Sequence, residues 1–318
     1  MKAIVVKKAG GPEVLEYQDV PTPKVKPGWS LVLVKGFGIN HSEIFTRQGD
    51  SPSVKFPRIL GIECVGVVEE STTDKLTKGQ KVISIMGEMG RAFDGSYAEY
   101  VLLPNEQIYP VTTDLAWPDL AAVPETYYTA FGSLKNLHLQ QTDQVLIRSG
   151  ASVVGIAALR LIKAKYPEIK VTGSVRNPDK KAVLLENGYD QAVEDRDNHL
   201  MTAEKFDKVL ELVGATTLKD TFNHVTSGAI VCQTGELGGK WFLEDFDPIA
   251  VIHQGAYLTT MSSGEVTSEK LNEMLDYVTK YHVNVKPTKV FELDQVKMAH
   301  EYLESGHNLG KVVVVNDK

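Results

Sequence analysis

Over residues 1–122 the apolar positions fall in short runs broken by Gly and Pro. Examples are Ala3-Ile4-Val5-Val6, Leu31-Val32-Leu33-Val34, Cys64-Val65-Gly66-Val67-Val68 and Lys81-Val82-Ile83-Ser84-Ile85. Runs of this length bounded by turn residues predict strands, and their regular spacing predicts a β-rich, barrel-like body. Over 123–264 the pattern becomes strands alternating with helices. Val145-Leu146-Ile147 reads as a strand, and Val154, Ala158, Leu161 and Ile162 then share one helix face. Val171–Val175 reads as the next strand, followed by a helix with Asn177 as cap, Pro178 in its first turn and Gly188 past its end. Val209–Val213 and Ala229–Cys232 continue the alternation, which predicts a parallel, doubly wound sheet. Over 265–318 an amphipathic helix with Leu271, Met274, Leu275 and Val278 on one face precedes strands at Lys289–Phe291 and Lys311–Val315. That segment is expected to rejoin the first domain, leaving 123–264 as an inserted α/β domain.

Composition narrows the chemistry. The 318 residues carry 34 Lys plus Arg against 41 Asp plus Glu, a net charge of −7. A net acidic chain lacks the basic stripe that broad nucleic-acid binding needs. Two cysteines, Cys64 and Cys232, rule out a disulfide framework and a four-Cys zinc site. Both lie in apolar strands and read as inert buried thiols. No stretch of 18 apolar residues occurs, and the opening MKAIVVKKAGG is no signal peptide, so a cytoplasmic chain without membrane contact is expected.

The informative segment is Gly150-Ala151-Ser152-Val153-Val154-Gly155, at the junction of a strand and a helix. It is a G-x-S-x-x-G variant of the dinucleotide fingerprint. Gly150 is expected to make the tight turn, and Ser152 to let the backbone approach a pyrophosphate while its hydroxyl donates a hydrogen bond. Gly155 is expected to allow close helix–sheet packing. The helix N-terminus offers free N–H groups to phosphate. At the end of the second strand, where NAD sites carry a carboxylate, the chain reads Gly173-Ser174-Val175-Arg176-Asn177, with Lys180 nearby. A guanidinium fork and a hydroxyl suit a 2′-phosphate, so NADPH is predicted over NADH. The competing reading is that Arg176 is a solvated helix-start residue.

Beyond these residues, the chain resembles the medium-chain dehydrogenase/reductase superfamily, in its zinc-free quinone oxidoreductase branch. The resemblance rests on Met1–Val5, Phe37-Gly38-Ile39-Asn40, Pro57-Arg58-Ile59-Leu60-Gly61, Gly95–Tyr100, Ala122–Thr126 and Gly310–Val314. It implies a GroES-like barrel plus a Rossmann domain, with an active site in the cleft between them and a homodimer formed through Rossmann sheet edges. Zinc-dependent relatives place a Cys where this chain has Asn40 and a His where it has Ile62, so the resemblance implies no catalytic metal. Glu63 is expected to pair within the structure rather than hold a metal.

The resemblance also implies roles for individual residues. Asn40, His41, Phe45 and Tyr127 are expected to line the substrate site. Phe45 stands where zinc-free relatives often carry Tyr, and Tyr127, Tyr128 or His41 are the candidates to supply the missing hydrogen bond. Arg47 matches a family position. Asn40, Thr129, Leu212, Val213, Gly235, Leu237, Ser262 and Lys311 are expected to contact the cofactor, beside the glycine turn, Ser174, Arg176 and Lys180. No catalytic acid is identifiable. The implied activity is hydride transfer from NADPH to a small-molecule acceptor, a quinone or an α,β-unsaturated carbonyl. A non-enzymatic NADPH-binding sensor and an enoyl-thioester reductase stand as alternatives.

Overall fold

A computed structural model describes residues 1–252, 255–306 and 309–316. In chain order its elements begin with strands β1 (Lys2–Val6), β2 (Leu15–Asp19) and β3 (Trp29–Gly38), then helix α1 (His41–Gln48). Strands β4 (Arg58–Ile59), β5 (Glu63–Glu70), β6 (Lys81–Ile85), β7 (Tyr100–Pro104) and β8 (Tyr109–Pro110) precede helices α2 (Trp117–Ala121) and α3 (Pro124–Leu137). Next come β9 (Gln144–Arg148), α4 (Val153–Lys165), β10 (Lys170–Val175), α5 (Lys181–Glu186), β11 (Gln191–Arg196), β12 (His199–Leu200) and β13 (Phe206–Glu211). Then follow α6 (Leu218–Thr221), β14 (Val225–Gln233), α7 (Pro248–Val251) and β15 (Tyr257–Thr260). The chain finishes with α8 (Ser268–Lys280), β16 (Lys289–Glu292), α9 (Val296–Glu304) and β17 (Val312–Val315).

Two compact units form. The first comprises Met1–Thr126, Ser263–Asp276 and Val285–Lys318; the second comprises Tyr127–Ser262 and Tyr277–Asn284. The first is built around β3, which pairs with β5 along one edge and shares the other between β7 at Trp29–Leu33 and β17 at Gly36–Gly38. Its Val32, Val34 and Phe37, the last of them past a register shift between Val34 and Gly36, are buried among Ile4, Ile39, Val68, Tyr97 and Val314. Burial of each such side chain contributes about 1.5–3 kcal/mol. The second unit has the sheet order β12-β11-β10-β9-β13-β14-β15. Its six parallel strands, numbered in chain order from β9, read 3-2-1-4-5-6, and the order reverses between β9 and β13. Strand β13 ends at Glu211 rather than at Val213, because the buried Glu211 carboxylate takes the N–H groups of Val213 (2.8 Å) and Gly214 (3.1 Å) out of the sheet ladder.

The first unit also buries polar groups. Arg47, fully buried on α1, forms a two-bond fork with Glu304 of α9 (3.0 and 2.7 Å) and donates to the Gly10 carbonyl. Its guanidinium also donates to His300 Nδ1 at 3.1 Å. A guanidinium only donates, so His300 Nδ1 accepts and the ring proton lies on Nε2, which faces the Tyr97 hydroxyl at 3.0 Å. Tyr97 in turn stacks on Phe37. Burial, reinforced by Arg47, drives the His300 pKa down to about 3.

This depression carries a sign. Between pH 6.5 and 3 the unfolded chain binds a proton at His300 that the fold refuses, so stability is lost as pH falls through that window. Urea unfolding of His300→Gln is expected to lose less stability than the parent between pH 6.5 and 4.5, by about 1.4 kcal/mol per pH unit. Parallel pH curves would show that the ring titrates normally.

Candidate functional site

On the second unit, the carboxyl ends of β9, β10 and β13 meet at the strand-order switch, where doubly wound sheets bind ligands. The turn after β9 is tight, but its left-handed residue is Ser149 at φ 68°, not Gly150. Gly150 is needed for a different reason. A side chain there would meet the Gly173 Cα at 2.9 Å and the Tyr189 hydroxyl at 3.0 Å. Tyr189, fully buried, donates toward the carbonyls of Gly150 (2.9 Å) and Gly155 (3.2 Å), holding the turn from inside.

Ser152 caps α4 by accepting from the Gly155 N–H at 3.1 Å while donating to the Ser149 carbonyl at 2.7 Å. Its hydroxyl is therefore spent within the turn, a correction to its expected role as a phosphate donor. What α4 offers an anion is the N–H groups of Val153 and Val154, the first two helical residues, which have no partner in the helix. Ala151 to Val154 are half-exposed, as a bound diphosphate requires. The turn thus fits a dinucleotide through its backbone.

Ser174 is also committed: it is buried and its hydroxyl accepts from the Ser149 N–H at 2.9 Å. Placed inside the turn, it shapes the backbone rather than facing a 2′-phosphate. Arg176 is exposed just beyond β10 and makes no hydrogen bond or ion pair with the described residues; Lys180 is half-exposed two positions into the following turn of 3₁₀ helix. Leu212 and Val213 are brought against Gly235 and Leu237. The Leu237 N–H bonds the Leu212 carbonyl, and a side chain at Gly235 would meet the Leu212 Cα at 2.7 Å. Ser262 lies exposed after β15, and Thr129 is buried on α3. Tyr127 is buried, and its hydroxyl donates to the Asn284 carbonyl at 3.1 Å and accepts from Arg160 at 3.3 Å. Tyr128 is buried as well.

On the first unit a charged cluster forms around Asn40. Asn40 starts α1 through a reciprocal capping box with Glu43. Its Nδ2 donates to Glu63 Oε1 at 2.9 Å, while Lys311 Nζ donates to both Asn40 Oδ1 and Glu63 Oε1 at 2.6 Å. The second Glu63 oxygen accepts the Glu125 N–H at 2.6 Å, so one buried carboxylate also caps α3. Gly38 makes room for this, since a side chain there would overlap the Lys311 stem and Glu63. Glu43, also buried, accepts instead from the backbone N–H groups of Asn40 (3.0 Å) and Ile62 (3.2 Å). Burial, with Glu63 adding to it, pushes Glu43 up to about 7. At the exposed rim, His41 has its pKa lowered by partial desolvation and by Lys311, and Phe45 is exposed. Arg47 is fully buried in its tie to α9.

Sequence reasoning did not single out Glu43. The Asn40-x-x-Glu43 spacing of a capping box was the available signal. Cys64 and Cys232 are buried, with burial raising the Cys64 thiol to about 12 and the Cys232 thiol above its ordinary value. No helix among the described residues is long and apolar enough to cross a membrane.

Comparison with known proteins adds to this geometry. A family model described as zinc-binding dehydrogenase matches residues 187–314, and one described as alcohol dehydrogenase GroES-like domain matches 26–113. A quinone oxidoreductase of Sus scrofa is 28% identical, over 99% of this chain and 98% of its own length. The NADPH-dependent alkenal/one oxidoreductase, chloroplastic, of Arabidopsis thaliana is 27% identical over 99% of this chain and 79% of its own. The structure of the quinone oxidoreductase from Coxiella burnetii superposes with a TM-score of 0.82 at 26% identity, covering 99% of both chains.

The burial of Glu43 beside Glu63 has a measurable consequence. Glu43 holds a proton between pH 4.5 and about 7 that the unfolded chain has released, so stability falls as pH rises through that window. Its slope is opposite to that of His300. Glu43→Gln should remove this fall, worth about 2–4 kcal/mol between pH 4.5 and 7.5, in urea midpoints measured across the range. An unchanged slope would place Glu43 at an ordinary carboxylate pKa.

Proposed function

Because the chain belongs to the medium-chain dehydrogenase/reductase superfamily and is an oxidoreductase with a nicotinamide cofactor, we propose that it is a zinc-independent, NADPH-dependent reductase of quinones or α,β-unsaturated carbonyls. The observation that carries this reading is the Lys311 ammonium held between Asn40 and Glu63. A catalytic zinc needs a tetrahedral array of Cys, His or carboxylate with one open position. Here an amide, an aliphatic Ile62 and a carboxylate already neutralised by Lys311 stand together, and a divalent cation would be repelled by that ammonium. A quinone is a strong hydride acceptor and needs no Lewis acid. A simple aldehyde, by contrast, would need electrostatic help at its oxygen.

The Val153 and Val154 N–H groups would hold the diphosphate, and Arg176 would take the 2′-phosphate. When bound, NADPH supplies the hydride. His41 offers a polar group at the start of α1 to an acceptor carbonyl, beside the Asn40–Lys311–Glu63 set. The names of the quinone and alkenal/one reductases that this chain resembles support the same acceptor class. We assign it a homodimeric state in which β15 pairs with a second copy. Strand β15 is the last of its sheet, and its Tyr257 is 64% exposed.

The test is NADPH oxidation, followed by absorbance, against quinones, enones and simple aldehydes. Turnover of the first two classes, undiminished by a chelator, is expected. NADPH binding without turnover of any acceptor would overturn the enzymatic reading in favour of a sensor. Arg176→Ala should weaken NADPH by about 1.5–3 kcal/mol, the value of a lost charge-assisted bond, with NADH little changed. Equal weakening of both would remove the 2′-phosphate assignment.

A further inference from the structure

We infer that Arg148, a buried residue outside the proposed cofactor contacts, is the positioning residue that fixes the spacing between the glycine turn and the loop after β13; this rests on the dinucleotide reading above. Arg148 is the last residue of β9, directly before Ser149. Its side chain is completely buried, and all five of its N–H donors have partners. Nε and Nη2 hold Asp195 at 2.7 and 3.0 Å, and Nη2 also reaches the Asn198 carbonyl at 2.9 Å and Asp220 at 3.0 Å. Nη1 donates to the Thr217 carbonyl at 3.0 Å and to the Thr221 hydroxyl at 2.7 Å.

Those partners come from three separate segments: the β11–β12 hairpin, the loop 212–217 and α6. The Thr221 contact continues further. Thr221 donates on to Glu211 at 2.5 Å, and Glu211 holds the Val213 and Gly214 N–H groups. A connected set of bonds thus runs from the residue before the glycine turn to the backbone of Leu212-Val213-Gly214, a loop assigned to the cofactor.

Stability alone does not explain such a group. Replacing a buried ion network by well-packed apolar residues is often neutral or stabilising, so what the network gives here is position. Lys would not serve, because one ammonium cannot direct donors to Asp195, Asn198 and Thr217 together.

The experiment measures KM for NADPH, kcat at saturating quinone, and NADPH affinity by fluorescence quenching, in the full chain and in Arg148→Met and Arg148→Lys. The positioning role predicts that Arg148→Met raises KM and Kd for NADPH about tenfold while kcat stays within about twofold, the signature of lost ground-state binding. Arg148→Lys should fall between in KM and Kd. A lowered melting temperature or active fraction with unchanged KM would overturn the proposal and leave Arg148 a structural group. Should Arg148→Met fail to fold, Thr221→Val cuts the relay while leaving the guanidinium paired; a KM rise of several-fold supports the inference and an unchanged KM overturns it. A parent protein that quenches with no dinucleotide would instead overturn the cofactor reading beneath it.

Discussion

The first unit depends on one buried ion pair between residues 248 positions apart, Lys311 and Glu63. Removing either partner would leave a bare charge in a dry interior, which costs more than the pair contributes. The pair therefore constrains everything that must surround it: Gly38 must lack a side chain, Asn40 must present an amide to both partners, and α3 must start where its Glu125 N–H meets the second carboxylate oxygen. Sheet β17–β3–β5 brings the two charged residues within reach, and the hydrophobic face of β3 supplies the dry surroundings.

The second unit solves a related problem by other means. Its sheet order creates a crevice at the carboxyl ends of β9 and β13, and the chain furnishes it with backbone rather than side-chain donors. Ser152, Ser174 and Tyr189 all spend their hydroxyls on the turn itself, which fixes the direction of the remaining N–H groups. Charge enters at its margins, as Arg176 and Lys180 and as the buried Arg148 set.

Much of this was legible in the chain. Short apolar runs became strands because a sheet needs no more than that, and the glycine segment became a strand–turn–helix as its spacing implied. The assignment of conformations inside the turn was not legible. A motif counts glycines, whereas the left-handed residue proved to be Ser149, held there by the bond from its N–H to Ser174. The partners of Tyr127 were hidden for a similar reason: an aromatic residue in the sequence says nothing of the Asn284 carbonyl and Arg160 that its hydroxyl meets. Arg148 was invisible because its side-chain and carbonyl partners Asp195, Thr217 and Thr221 lie 47 to 73 residues away. Lys311 was expected at a cofactor, and its tie to Glu63 and Asn40 needed the fold to bring the chain's end back to β3.

The burial of the two thiols bears on life among electrophiles. Quinones and enones, the acceptor class proposed above, alkylate thiolates. Cys64 and Cys232 are enclosed in strands and held in the neutral thiol form by desolvation. The chain has no other cysteine. An electrophile of that class thus finds no exposed cysteine thiolate on this protein.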